Sequence, residues 1–160
     1  MSDQFTIQEI IEIAIEIEKN GEVFYRALAE SANTAPLRDL FKNLSDAEKK
    51  HKAIFEEMLK SVGGYQVSEI YYADEYMGYM KAIADEQVFK KDISILEVAK
   101  SLKSPKEAIE LAIDFEKDSI IFLHEMLDIV NESEIETVKK LLDEERGHIR
   151  RLSTIKSQVS

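Results

Sequence analysis

Apolar residues recur at spacings of three and four along four long segments of the chain, which is the pattern of an α-helix with one buried face. A capping box at Thr6–Glu9 predicts that the first helix begins at Ile7 and runs to about Ala32. The second helix has Pro36 near its start and is expected to end at Gly63-Gly64, because glycine often follows the last turn of a helix.

The second half of the chain predicts a similar pair of helices. Ser104-Pro105-Lys106-Glu107 combines a capping box with proline at the first helical position, and it opens the third long helix. A related motif, Asn131-Glu132-Ser133-x-x-Glu136, is expected to cap the fourth, which runs nearly to the last residue. Between the halves we predict an amphipathic helix around Ile70 to Phe89 and a short helix within Ser94 to Leu102.

An internal repeat relates the two halves. Residues 9–19 align without gaps on residues 107–117, and Phe24 falls on Phe122. We therefore predict an all-α four-helix bundle built from two helical hairpins, 6–62 and 104–158, joined by a long helical crossover at 65–103. In this prediction residues 1–160 form a single domain.

Glutamate and histidine interrupt the apolar face of two helices. On the second helix Glu48 and His51 fall in an otherwise apolar row, and on the fourth helix Glu145 and His148 do the same. Burying such groups without partners would cost several kcal/mol. One Glu-x-x-His motif could be accidental, but two at equivalent positions indicate a shared site.

Each half also carries a lone glutamate on its first helix. Glu18 lies about as far before the first turn as Glu48 lies beyond it. Glu116 and Glu145 are placed in the same way around the second turn. Antiparallel packing therefore brings each pair to the same height in the bundle.

Six residues thus form a candidate site for two metal ions: Glu18, Glu48, His51, Glu116, Glu145 and His148. Two of the glutamates can bridge the ions, and each ion then takes one further glutamate and one histidine. This ligation suits two iron ions, or alternatively manganese, better than structural zinc, and the same set occurs in di-iron and di-manganese carboxylate bundles. Without metal the buried carboxylates should take up protons, which means raised pKa values.

Small residues flank the lone glutamates. Ala14 and Gly21 lie about one turn from Glu18, and Ala112 and Ser119 occupy the equivalent positions in the second half. We expect them to leave room for metal ions and a small oxidant. A glycine within a helix costs about 1 kcal/mol relative to alanine, which favours a spatial reason for it.

Five other polar residues bear on the predicted site. Tyr25 is the candidate catalytic residue, because its hydroxyl can donate to a ligand carboxylate. Glu22 is either an extra, mobile ligand or a surface acid, and the surface is slightly favoured. Asp46 and Asp143, at equivalent positions before the two motifs, either orient a histidine or are solvated. His124 has no paired motif and is expected to be exposed.

Composition limits the chemistry and the partners. Cysteine is absent, which excludes disulfides, cysteine nucleophiles, iron–sulfur clusters and thiolate zinc sites. A net charge of −11 argues against nucleic acid and anionic membrane surfaces, which are bound by positive patches. No apolar run approaches membrane-spanning length and no signal segment is present, so we expect a cytoplasmic protein.

These motifs resemble those of the ferritin-like di-iron superfamily, and within it the rubrerythrin-related branch, over nearly the whole chain. The matching residues are Glu18 with Tyr25, Glu48-x-x-His51, Glu116 and Glu145-x-x-His148. The resemblance implies a ferritin-like bundle with a di-iron site that reacts with hydrogen peroxide or dioxygen. Rubrerythrins proper also carry a four-cysteine rubredoxin iron, and they tend to have a further glutamate where this chain has Ser119. The site therefore looks nearer to the symmetric six-ligand arrangement of bacterioferritin.

Three functions are compatible with the sequence. The first is a peroxidase- or oxidase-type oxidoreductase with electrons from a separate donor, such as a rubredoxin-type protein. The second is iron(II) oxidation for storage, against which stands the lack of a segment for the short fifth helix of cage ferritins. The third is a metal-sensing or interaction protein.

The crossover is rich in aromatic residues and methionine. They are Tyr71, Tyr72, Tyr76, Met77, Tyr79 and Met80. We expect them to pack on the bundle, with a homodimer interface as the alternative.

Overall fold

The computed structural model describes residues 7–62, 73–85, 87 and 94–159, and these residues form helices and no strand. The six α-helices are α1 (Ile7–Ser31), α2 (Ala35–Val62), α3 (Ala73–Asp85), α4 (Ile95–Ser101), α5 (Pro105–Met126) and α6 (Ile135–Lys156). The predicted all-α helical bundle is confirmed. Among the described helices none offers the long, nearly uncharged stretch that crossing a bilayer needs.

The four long helices form two hairpins. α1 packs along α2, and α5 packs along α6. Only residues 32–34 separate α1 from α2, so these two helices run antiparallel. In that turn the Leu37 backbone N–H donates to Thr34 Oγ1 at 3.4 Å, which satisfies one of the free amides at the start of α2.

The start of α5 matches the prediction. Ser104 is the N-cap, and its Oγ accepts a hydrogen bond from the Glu107 N–H at 3.1 Å. Glu107 Oε2 in turn accepts from the Lys103 N–H at 2.9 Å. The capping box predicted for α1 involves Thr6, which lies outside the described residues.

The predicted cap of the fourth helix is wrong. Residues Glu132–Glu134 form a 3-10 turn in which the Asn131 carbonyl accepts from the Glu134 N–H at 2.8 Å. α6 begins afterwards, at Ile135, and no side chain caps it. A backbone bond of the tighter turn thus takes the place of the expected side-chain bond.

Two short helices connect the hairpins. α3 packs against α5, and α4 packs against α1. α3 ends at Asp85, earlier than predicted, and Gln87 already lies in a bend. Residues 70–72, 86, 88 and 89 of the predicted helix lie outside the described residues. α4 matches its prediction, and the hydroxyl of Ser94 accepts from the Glu97 N–H at 3.4 Å as its N-cap.

Two of the crossover side chains singled out in the sequence are described. Met80 is fully buried in the core. Tyr79 is 49% exposed, and its hydroxyl lies 3.4 Å from Glu125 Oε1 on α5. Both side chains therefore pack on the bundle of the same chain. The side chains of Tyr71, Tyr72, Tyr76 and Met77 lie outside the described part of the chain, and homodimerisation stays a prediction.

Apolar layers enclose the polar middle of the bundle. On α2 the buried residues Leu44 and Phe55 stand on either side of the Glu-x-x-His motif, and on α6 Leu142 and Leu152 do the same. Full burial of such a side chain contributes about 1.5–3 kcal/mol. The surrounding core thereby offsets the cost of holding carboxylates away from water.

Candidate metal centre

The six residues predicted to bind metal come together in the middle of the bundle. Each has 0 or 1% of its surface exposed. They are Glu18 on α1, Glu48 and His51 on α2, Glu116 on α5, and Glu145 and His148 on α6. All four long helices contribute, as the repeat requires.

Their ligand-type atoms form two overlapping groups. One group comprises Glu18, Glu48, His51 and Glu145, and the other comprises Glu48, Glu116, Glu145 and His148. Within each group the four atoms lie within 4.8 Å of one another. Glu48 and Glu145 belong to both groups, so their carboxylates lie where ligands shared by two cations are found.

Both imidazoles turn Nδ1 toward the carboxylates. His51 Nδ1 lies 2.9 Å from Glu145 Oε1 and 3.6 Å from Glu18 Oε2. His148 Nδ1 lies 2.8 Å from Glu145 Oε2 and 3.3 Å from Glu116 Oε1. The two rings stack with their centroids 5.6 Å apart. This leaves Nε2 of each ring on the outer side of the cluster.

The carboxyl groups of the metal-free cluster have strongly shifted pKa values. Burial raises the pKa of Glu18, Glu48 and Glu116 well above 4.5, and neighbouring carboxylates add to the shift. Burial acts in the same direction on Glu145, but the close Nδ1 atoms of both histidines hold its pKa well below 4.5. Protons are therefore held more tightly by Glu18, Glu48 and Glu116 than by Glu145.

The histidines are shifted in the complementary direction. Burial is the largest single effect and lowers the pKa of His51, but the hydrogen bonds and charges of Glu145, Glu48 and Glu144 together raise it to about 9. Burial is also the largest single effect on His148 and lowers its pKa, but the close carboxylates of Glu116, Glu145 and Glu48 together raise it to about 12. Without metal the cluster thus balances its charge with protons, and metal ions must displace them.

Several buried atoms of the cluster lie close to ionisable neighbours but make no hydrogen bond of good geometry with any described residue. They are Glu18 Oε2, both carboxylate oxygens of Glu48, Glu116 Oε2, Glu145 Oε2 and His148 Nδ1. Each unpaired buried polar group costs about 1–3 kcal/mol. Divalent cations would satisfy these atoms together, so the residues present fit a pair of metal ions in atom type, charge and arrangement.

The model of the rubrerythrin family matches residues 9–156. The chain belongs to the rubrerythrin family. It is also similar to the crystal structure of a protein from Thermotoga maritima described as ferritin-like and di-iron carboxylate, with 29% identity over 98% of each chain and a TM-score of 0.71. The ferritin-like fold is thereby confirmed. No protein with a curated description matches the chain.

Tyr25 lies against the cluster of this rubrerythrin-family protein. Its hydroxyl donates a hydrogen bond to Glu116 Oε1 at 2.5 Å. Burial and the neighbouring Glu116 carboxylate raise the tyrosine pKa well above 10.0, so the hydroxyl keeps its proton. The ring stacks on Phe41 and meets Phe115 edge-on. The repeat places Leu123, which is buried and apolar, at the corresponding position, so only one half supplies a hydroxyl.

Gly21 does not leave open space beside the cluster, so that expectation is wrong at this position. A Cβ on Gly21 would lie 2.8 Å from two atoms of the Phe115 ring and 3.1 Å from Glu48 Cγ. The glycine instead lets these two side chains approach the α1 backbone. Ser119, its counterpart in the repeat, is buried, and its hydroxyl has no hydrogen-bond partner among the described residues.

The Gly21→Ala variant should be destabilised by up to about 2 kcal/mol. The added methyl group overlaps the buried Phe115 ring, and overpacking costs about 1–3 kcal/mol, against the roughly 1 kcal/mol that alanine gains over glycine in a helix. Gly147→Ala on α6 is the matched control, because a Cβ there meets only Arg150 Nη2 at 3.6 Å. It should be stabilised. Urea unfolding measures the change in free energy of unfolding for both variants. If alanine stabilised the protein equally at both positions, packing against Phe115 would not require a glycine at position 21.

Sequence reasoning missed Glu144. Its Oε2 lies 2.7 Å from Nε2 of His51, although the Glu144 side chain is 44% exposed. The sequence did contain a signal for it, because Glu144 directly precedes the predicted ligand Glu145. The repeat places Ala47 at the corresponding position of the first half, so the two halves differ here. A comparison of the two halves at this position would have singled it out.

The other polar residues considered in the sequence lie apart from the cluster. Asp46 is exposed. Asp143 is also exposed, and it pairs with an arginine one turn further along α6 at 2.8 Å. Glu22 belongs to neither group of ligand-type atoms and accepts a hydrogen bond from Lys52 Nζ at 3.0 Å. His124 is exposed, as expected.

Proposed function

We propose that this protein is a di-iron carboxylate oxidoreductase that reduces hydrogen peroxide or dioxygen with electrons from a separate donor. The observation that carries the proposal is the buried set of four glutamates and two histidines, arranged as two groups that share two carboxylates. Membership of the rubrerythrin family and the likeness to the di-iron carboxylate protein of Thermotoga maritima support iron as the metal.

The proposed ligands divide evenly between the two irons. One iron would be held by Glu18 and His51 and the other by Glu116 and His148, while Glu48 and Glu145, which belong to both groups, would be shared. When bound, two iron ions supply the two electrons that, with two protons, reduce one peroxide molecule to two water molecules. Manganese is the alternative metal, since it accepts similar oxygen and imidazole ligands.

The contribution of the chain itself is orientation and exclusion of water. The ligand carboxylates are held within an apolar core, where their charge attracts a cation far more strongly than at the surface. The Tyr25 hydroxyl fixes the orientation of Glu116 and keeps a proton at that carboxylate. We therefore assign Tyr25 as a positioning residue that acts through Glu116.

The proposed electron donor is a separate protein. The 160 residues contain no cysteine, so they cannot hold an iron centre of the four-thiolate type. A rubredoxin-type protein is the class of donor that we propose.

Anaerobic loading with iron(II), followed by stopped-flow mixing with peroxide or dioxygen, tests the proposal. We expect two irons per chain and one round of oxidation, after which the reaction stalls until a reduced rubredoxin-type donor is added. The Tyr25→Phe variant should bind the same amount of iron but react about 10–100-fold more slowly, the range seen when a ligand loses its supporting hydrogen bond. Tyr79→Phe, at a hydroxyl remote from the cluster, is the control and should react normally.

Two other results would overturn the proposal. Continued iron(II) oxidation with many irons retained in a large multi-subunit shell would establish storage. Stoichiometric metal binding without any reaction with either oxidant would favour a sensing or interaction role.

A further inference from the structure

We propose that the two metal positions are unequal, so that metal beside His51 is retained while metal beside His148 exchanges through a groove between α2 and α6. We call them the His51 position, with Glu18, and the His148 position, with Glu116. This inference rests on the proposed function, because it requires that the cluster binds two metal ions.

The His51 position is supported from outside the cluster. Glu144 Oε2 lies 2.7 Å from Nε2 of His51, on the ring edge opposite the nitrogen that faces the other carboxylates. A carboxylate in this place accepts the outer N–H, fixes the ring orientation and makes the inner nitrogen a stronger ligand. Removal of such a partner typically lowers metal affinity about 10–100-fold.

Within the described part of the chain, the His148 position lacks this support. The repeat aligns Glu145 with Glu48, so Ala47 takes the place that Glu144 has in the other half. Alanine has no polar atom with which to hold the outer nitrogen of His148. The hydrogen bond from Tyr25 orients Glu116, but it leaves His148, which is itself buried, without a comparable partner at its outer nitrogen among the described residues.

A groove of about 520 Å³ reaches His148 from that outer side. It lies between α2 and α6, and its lining residues are Asn43, Asp46, Ala47, Lys50, Glu144, Gly147, His148 and Arg151. Two of the lining residues, Ala47 and Gly147, are small. The side chain of Ala47 is a single methyl group, and the space beside Gly147 is open, since a Cβ added there would contact only Arg150 Nη2 at 3.6 Å. Two acidic and two basic side chains line the groove, so its charge does not oppose the passage of a cation.

Two differences therefore act in the same direction. The carboxylate of Glu144 both holds His51 and stands between its outer edge and the groove, whereas His148 has no such partner among the described residues and itself lines the groove. We expect metal at the His148 position to be lost and replaced first, with metal at the His51 position and the bridging carboxylates keeping the site formed.

Chelator extraction of the cobalt(II)-loaded protein tests the inference without depending on activity. Cobalt(II) is coloured and binds the same kinds of ligand. From protein with two cobalt ions per chain, EDTA should remove the metal in two phases of equal amplitude that differ about 10–100-fold in rate. Anomalous diffraction from crystals of half-depleted protein should place the remaining cobalt beside His51.

Substitutions at Glu144 and Ala47 provide the decisive variants. Glu144→Ala should accelerate the slow phase toward the fast one, and Glu144→Gln, which keeps the shape and a hydrogen-bonding oxygen, should act less. Ala47→Glu should slow the fast phase, with Ala47→Gln as its control. The double variant Glu144→Ala, Ala47→Glu should move the retained cobalt to the His148 position. Neither residue is fully buried, and circular dichroism checks that each variant is folded.

Three results would each overturn the inference while leaving a two-metal site in place. The unaltered protein could lose cobalt in a single phase, the remaining cobalt could lie beside His148, or the double variant could behave like the unaltered protein. Binding of fewer than two cobalt ions would instead overturn the proposed function, and the inference with it.

Discussion

The variants His51→Ala and His148→Ala should each lower the rate of peroxide reduction by at least about 100-fold. This effect is larger than the one usually seen when a residue that only hydrogen-bonds to a metal ligand is replaced. Each histidine belongs to only one of the two groups of ligand-type atoms. Two-electron reduction needs both metals, so loss of one ligand should impair turnover as a whole. Steady-state assays with a rubredoxin-type donor measure the effect.

His124→Ala is the matched control for these variants. His124 is the remaining histidine of the chain, is exposed, and belongs to neither group. Its replacement should leave both metal content and rate unchanged. If His148→Ala bound one metal per chain and still turned over at the normal rate, one metal would suffice and the paired mechanism would be wrong.

Metal loading should raise the melting temperature by about 10 °C or more. Metal present at 1,000 times its dissociation constant stabilises the folded state by about 4 kcal/mol for one site. For a chain of this length each kcal/mol corresponds to roughly 2–4 °C. Calorimetry of metal-loaded and chelator-treated protein at neutral pH provides the comparison.

The difference in melting temperature should widen as the pH rises. His51 and His148 have folded pKa values of about 9 and about 12 against 6.5, so the stability that they contribute to metal-free protein is complete below pH 6.5 and is lost as the pH rises toward and beyond 9. The raised pKa values of the other three glutamates act in the same direction above pH 4.5. Glu145, whose pKa is lowered, contributes stability that is lost only in acid, below pH 4.5.

Metal-free protein should therefore melt at a lower temperature at pH 9 than at pH 6.5. The metal-loaded protein should change little, because its ligands bind metal in place of protons over this range. For His51 alone the shift corresponds to stability on the order of 3 kcal/mol. A metal-free protein whose melting temperature rises between these pH values would contradict the direction of the shifts.

Glu48→Ala should remove most of the metal-dependent stabilisation while the bundle still forms. Glu48 belongs to both groups, so its loss weakens both positions, whereas the apolar residues of α2 remain. Glu22→Ala is the control, since Glu22 pairs with Lys52 and belongs to neither group. It should keep the full response to metal. If Glu48→Ala kept it as well, Glu48 would not be a ligand.

The sequence by itself determined the helices and the residues that meet in the middle of the bundle. Apolar residues at spacings of three and four define one buried face per helix, because burial rewards that face wherever the helix packs. Polar residues within that face must then be buried, and the repeat places them at one height. This is why Glu18, Glu116 and the two Glu-x-x-His motifs could be placed in the middle of the bundle without a structure.

Local sequence was less informative where a backbone hydrogen bond can form in place of a side-chain cap. The Asn131 motif has the composition of a helix cap, yet these residues form a 3-10 turn in which the Asn131 carbonyl accepts from the Glu134 N–H. Which of the two forms depends on the path of the chain between α5 and α6. The sequence of the motif alone does not contain that path.

Only the tertiary structure decided how the polar residues are shared and supported. The four cluster glutamates look alike in the sequence, and only packing shows that Glu48 and Glu145 belong to both groups. Glu144 meets His51 from another helix, and the space beside Gly21 is filled by Phe115 from α5. These contacts join residues far apart in the chain, so no helical periodicity encodes them. They arise because side chains from separate helices reach the same point in the packed bundle.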